Sequence, residues 1–166
     1  MSRFSAGVTA GQAGGGAATY RYLRIDVSVN NGGNRIEISE IEWFVGTTEY
    51  PTVNMTAASA PSPLVASAST EVAGGEAWKA FDGDISLDGW ISGLVTAGAL
   101  TIDLGAGNGI APAKVQVRCG TTADRAPKDF TLLGSDTGAF AGEETTLGTV
   151  TGATAWTSLE EREYIF

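Results

Sequence analysis

Between Glu76 and Trp90 the chain reads Glu-Ala-Trp-Lys-Ala-Phe-Asp-Gly-Asp-Ile-Ser-Leu-Asp-Gly-Trp, which puts three carboxylates, Asp82, Asp84 and Asp88, within seven residues. Carboxylates this close repel one another unless a cation or a set of backbone N–H donors compensates them. The chemistry on offer is cation binding through hard oxygens, and the alternative is a solvated Asp-Gly turn. The chain has no histidine and a single cysteine, Cys119, so a bound cation should be Ca²⁺ rather than a transition metal.

The same lack of histidine removes the commonest general base, the Ser-His nucleophile pair and nearly all zinc sites. Adjacent acidic residues at Glu143-Glu144 and at Glu160, Glu161 and Glu163 do not rescue an enzyme reading. A glycosidase needs two carboxyls facing across a cleft, with one kept protonated, whereas neighbours in sequence point to opposite faces or into water. No catalytic residue is expected. Trp78 and Phe140 sit beside predicted loops and are candidates to stack on a sugar. Arg125, in the Thr-Ala-Asp-Arg-Ala-Pro loop, is the best remaining donor to it.

These residues must be positioned by strands. Leu23, Ile25, Val27 and Val29 alternate with polar neighbours, which predicts a half-buried strand, and Asn30-Asn31-Gly32-Gly33 supplies a hairpin turn into a second strand, Arg35 to Val45. The apolar phase slips there: Ile36 and Ile38 are even, while Ile41, Trp43 and Val45 are odd. A bulge near Ser39-Glu40 would account for the slip. Residues 46 to 75 read as loops, interrupted by Pro51, Pro61 and Pro63, with one short strand near Leu64 to Ser69. Further alternation over Leu100 to Leu104 and Val115 to Cys119, the latter a small core residue, followed by Phe130 to Leu133, gives an all-β reading of roughly eight strands in two antiparallel sheets. The glycine run after Ile102-Asp-Leu resembles a nucleotide loop. It is read as a turn, because a strand and not a helix follows it.

At 166 residues one domain plus an arm is the default. Residues 1–19 have little to bury beyond Phe4 and Val8 and read as an assembly arm held by neighbouring subunits, with the sandwich over 20–166. A net charge of −9 repels phosphate backbones and anionic headgroups, so nucleic acid and membrane are poor partners. Neither a signal peptide nor a transmembrane segment is expected.

Four pieces in a consistent arrangement carry a resemblance: Lys79-Ala-Phe-Asp-Gly-Asp, Trp90-Ile-Ser, Leu100-Thr-Ile-Asp-Leu-Gly, and Ala126-Pro-Lys-Asp-Phe-Thr-Leu-Leu-Gly-Ser-Asp136. Together they resemble the discoidin or coagulation factor 5/8 type C family over most of residues 20–166. The resemblance implies a galactose-binding-like jelly-roll sandwich, usually a non-catalytic binding module, with Phe81 and Trp90 in its core. The opening strands resemble the family's last ones, and Glu161 to Phe166 resembles the segment that normally precedes them. The domain thus reads as circularly permuted, with its ends meeting in one sheet, an order similar to that of virion proteins of tailed bacteriophages.

By the same resemblance a structural Ca²⁺ is expected on the side chains of Asp82 and Glu40 and on carbonyls of Lys79, Asp84 and Ser39, with Ser86 or Asp88 completing the shell. The implied function is a virion surface protein of a tail fibre, baseplate or capsid decoration, made as a soluble protein in the host cytoplasm and assembled as a homo-oligomer or part of a larger particle, with glycan contact at the cell surface. The alternatives are a free carbohydrate-binding module and, third, a polysaccharide-degrading enzyme.

Overall fold

Period-two burial builds the strands. In β1 (Tyr22–Asn30) Leu23, Ile25 and Val27 are buried while Asp26 and Ser28 are exposed. The computed structural model describes residues 18–87 and 89–166, so residues 1–17 of the expected arm, and Asp88, lie outside the described residues. The other strands are β2 (Glu37–Val45), β3 (Thr48–Tyr50), β4 (Val65–Ala68), β5 (Trp90–Ile91), β6 (Gly98–Asp103), β7 (Lys114–Cys119), β8 (Pro127–Ser135), β9 (Thr145–Val150) and β10 (Glu161–Ile165). Among the described residues the only helices are two short 3-10 turns, Ala77–Phe81 and Ala123–Arg125.

The strands form an all-β sandwich of two antiparallel sheets. One has the order β4-β6-β1-β8-β9, and the other runs β10-β7-β2-β3 with β5 also paired to β2. Ile25, Leu100, Ile102 and Leu132 of the first sheet share one apolar cluster with Ile38, Ile41, Val115 and Val117 of the second. Each such side chain contributes about 1.5–3 kcal/mol on full burial. Trp90, Phe81, Phe130, Trp156 and Cys119 are all buried, as the sequence leads one to expect. Residues 104–113, the glycine-rich run included, form a connection from β6 to β7 with no helix in it.

The expected bulge in β2 is present. Its register against β7 slips between Ile38, opposite Cys119, and Glu40, opposite Arg118, leaving Ser39 as the extra residue. Ile36, Ile38, Ile41 and Trp43 are thereby all buried despite their mixed parity. The expected β1–β2 hairpin does not form. Both edges of β1 are taken, by β6 and β8, and β2 lies in the opposite sheet. The Asn30–Gly33 turn instead arches between sheets. Asn30 Nδ2 donates to the Gly33 and Arg35 carbonyls, and Asn31 Nδ2 donates to those of Ala126 and Ala153. A second irregularity, in the β1–β8 register around Val29, turns Val29 out to 41% exposure, against its expected place on the buried face.

The ends of the sandwich, at Tyr20 and Phe166, likewise do not lie in one sheet, since β1 and β10 belong to different ones. They meet at one pole of the sandwich. The Tyr20 N–H donates to the Ile110 carbonyl and the Phe166 N–H to the Ala113 carbonyl, so both ends flank the β6–β7 connection.

One charge inside this frame is Arg162 on β10, only 2% exposed. Its guanidinium donates to Glu160 Oε1 at 2.8 Å and to the Thr154 and Ala155 carbonyls at 2.9 Å, and it lies 4.0 Å from the Trp156 ring centre. Glu160 is therefore not the solvated surface acid its sequence neighbourhood implies, and Arg162 holds the 151–160 loop to the sheet. Arg162→Met should cost about 1.5–3 kcal/mol, because the charged hydrogen bonds of a nearly buried guanidinium to Glu160 and to two loop carbonyls are lost, as read by urea unfolding. A cost below about 0.5 kcal/mol, the range of ordinary surface substitutions, would show that the loop holds itself.

Candidate functional site

The bulge at Ser39 and the Asp82 loop come together along the edge of β2 between its β3 and β5 pairings. Gly83 adopts φ +74°, a left-handed conformation that glycine tolerates best, and its N–H donates to Glu40 Oε2 at 3.2 Å. At the loop's far end Gly89 lies so close to the Ser39 and Ile38 carbonyl oxygens that a Cβ there would collide with both. Ser39 Oγ donates to the Leu87 carbonyl at 2.5 Å. The loop is thus fastened to the bulge at both ends, and the Gly83 N–H bond brings Glu40 beside the residue that follows Asp82.

Glu40 is 4% exposed, and neither it nor Asp82 has a Lys or Arg ion-pair partner among the described residues. Burial first, and then the charges of Asp82 and Glu42, push the Glu40 carboxyl up to about 9, with the Gly83 N–H opposing. Burial also raises Asp82; the Asp84 N–H, donated to Asp82 Oδ1 at 2.8 Å, works the other way. Two carboxyls that are each hard to ionise, Asp82 adding to the burden on Glu40, form an environment a cation would relieve. Glu42, two residues along β2, is pushed up to about 7 by burial and by Glu49 and Glu161.

The remaining expected ligands are placed less uniformly. Asp84 Oδ1 accepts from both the N–H and the Oγ of Ser86, at 3.0 and 2.6 Å, which holds its carboxyl below the ordinary range and leaves the two side chains engaged with each other. Lys79 lies in the first 3-10 turn, its ammonium turned to the Gly74 carbonyl at 2.7 Å and to Glu76 at 3.6 Å, so only its carbonyl is in question. The Ser39 carbonyl faces the loop at Gly89. Among the described residues no three acidic, His or Cys side chains form a ready-made cage. A cation here would draw two carboxylates from Glu40 and Asp82 and the rest of its shell from carbonyls, hydroxyls and water, a mixture that suits Ca²⁺.

The three residues expected to contact a glycan lie on three separate elements, each with its own partner. Trp78 is half-buried in the first 3-10 turn and packs against the core. Arg125 Nη1 donates to Glu37 Oε2 at 3.1 Å, and so is committed to a fully buried carboxylate. Phe140, at φ +47°, has the Arg24 guanidinium 3.7 Å from its ring centre, which covers one face of the platform. Glu37 was not legible as a special position, because in the sequence it is only a polar residue between Ile36 and Ile38.

Comparison with family models, with curated proteins and with solved structures returns no match to this chain. Among the described residues no helix is long and apolar enough to cross a membrane.

Proposed function

We propose that the chain is a non-catalytic surface or structural protein of a tailed-phage virion, in a tail fibre, baseplate or capsid decoration. In this reading it is a circularly permuted, galactose-binding-like jelly roll of the discoidin type, carrying a structural Ca²⁺ at Glu40 and Asp82. Residues 1–19 attach it to neighbouring subunits. Four family-like motifs support the fold assignment, and Tyr20 and Phe166 both bond to the β6–β7 connection, a proximity of the sandwich's two ends that suits a permutation.

The observation that carries the functional reading is the polarity of the sandwich. Tyr20, where the sandwich begins, lies at the pole where Phe166 also ends, while the turns at Asn30–Gly33, Ala123–Arg125 and residues 151–156 lie at the other. The nine residues of β1 separate the two by roughly 27 Å. A subunit held at one pole presents the other outward.

Deleting residues 1–19 should leave the β-type circular dichroism spectrum and melting temperature unchanged while abolishing incorporation into particles. Normal incorporation of the truncated chain would refute the attachment role of residues 1–19, whereas a full-length chain never found in particles would favour the free carbohydrate-binding module.

A further inference from the structure

At the pole opposite Tyr20 and Phe166, the outward turn of Val29 and the arch after it open a cleft of about 430 Å³. Its walls are pinned. Asn30, 4% exposed, accepts the Gly32 N–H and donates to two carbonyls, and the Trp156 Nε1–H donates to the Pro127 and Ala153 carbonyls behind it. A cleft of this size, formed before any ligand arrives, suits a mono- or disaccharide.

The functional groups left over define the ligand. The backbone N–H groups of Asn31, Gly32 and Gly33 are already donated, to the Ala126 carbonyl, Asn30 Oδ1 and the Asp124 carbonyl. That removes the fan of N–H donors a phosphate site uses. Asn31 Nδ2 is spent on neighbouring carbonyls, so its Oδ1 is an acceptor for a ligand hydroxyl. Thr96 and Thr154 are exposed on the rim and add two hydroxyls. Lys128 lines the same cleft, half-buried, with no ion-pair partner among the described residues. One cation without an ion-pair partner among the described residues, beside several hydroxyl-binding groups, matches a sugar that carries a carboxylate. Of the three residues the sequence nominated, only Arg125 borders this region, its stem against Gly33.

The geometry points to an acidic-sugar site in this cleft, with the carboxylate on Lys128 and the hydroxyls on Asn31, Thr96 and Thr154. This deepens the surface-protein reading by naming the ligand chemistry, and it rests on that reading only for its biological setting. The titration below uses isolated protein, so its failure and a failure of the arm-deletion experiment are separate results.

The test is a ¹⁵N-resolved NMR titration of the full chain at about 0.15 M salt, where long-range repulsion from the acidic body is screened. The probes are sodium glucuronate, glucose and inorganic phosphate. Glucuronate should shift the Asn31, Gly32 and Gly33 amides and the Asn31 side-chain amide, saturating in the millimolar range. Glucose should bind about tenfold more weakly, and Lys128→Gln should weaken glucuronate about tenfold without moving the melting temperature. Equal binding of glucose and glucuronate, tighter binding of phosphate, shifts confined to other surfaces, or no shifts at all would each overturn the assignment.

Discussion

In calcium-free buffer the melting temperature should fall as the pH is raised from about 5 to about 9, and millimolar Ca²⁺ should flatten that fall. The sign follows from Glu40. Its ordinary value of 4.5 is raised to about 9 in the folded chain, so its contribution to stability is complete below the unfolded value and is lost progressively as the pH climbs through the folded one. At 1.36 kcal/mol per pKa unit, the full shift corresponds to roughly 6 kcal/mol, a ceiling that side-chain rearrangement lowers. Calcium at a hundredfold excess over its dissociation constant adds about 2.7 kcal/mol, or roughly 5–10 °C for a chain of this size.

Glu40→Gln separates the two parts of this effect. A glutamine keeps an acceptor for the Gly83 N–H and removes the buried charge. The variant should therefore melt higher than the parent in chelator at pH 8, and lower than the parent in calcium. Asp82→Ala should lose the calcium response as well. Melting curves indifferent to pH, to calcium and to both substitutions would reduce the Asp82 loop to a solvated turn.

Glu37→Ala should destabilise the chain by about 2–4 kcal/mol, because the Thr122 N–H and the partly exposed Arg125 both lose a fully buried acceptor. Glu37 is 0% exposed. Its Oε1 accepts the Thr122 N–H at 3.0 Å and its Oε2 accepts from Arg125 at 3.1 Å, so one carboxylate ties β2 to the 120–125 loop. Gly120 is pressed against the same side chain, and a Cβ there would meet the carboxyl directly. Glu37→Gln retains an acceptor for Thr122 and should lose substantially less. Urea unfolding measures both. If the alanine variant lost under about 1 kcal/mol, the buried carboxylate would not be what organises the loop.

The apolar alternation in Leu23–Val27 and Val115–Cys119 identified strands and their buried faces, because each strand carries that information locally. The parity slip in Arg35–Val45 even located the bulge, since a one-residue insertion leaves its mark on the strand that contains it. Half of the candidate cation site, the Asp82 loop, was visible as a cluster of like charges. Its pairing with Glu40 was proposed only through the family resemblance, and the Gly83 N–H bond is what places the two together here.

Which strand lies beside which was not local information. Asn30–Gly33 has the composition of a hairpin turn. It became an arch between sheets because β6 and β8 occupy both edges of β1, and because Asn31 bonds to Ala153, 122 residues away. Buried charges are illegible for the same reason. Glu37 finds Arg125 at a separation of 88 residues, and nothing in their own neighbourhoods distinguishes them from solvated side chains. Local pattern in the sequence was enough to find the longer strands, the bulge and the acidic loop, though it passed over β3, β5 and β9. The tertiary structure decided the neighbours, and with them which charges are buried, which aromatic faces are covered, and where the cleft at Val29 opens.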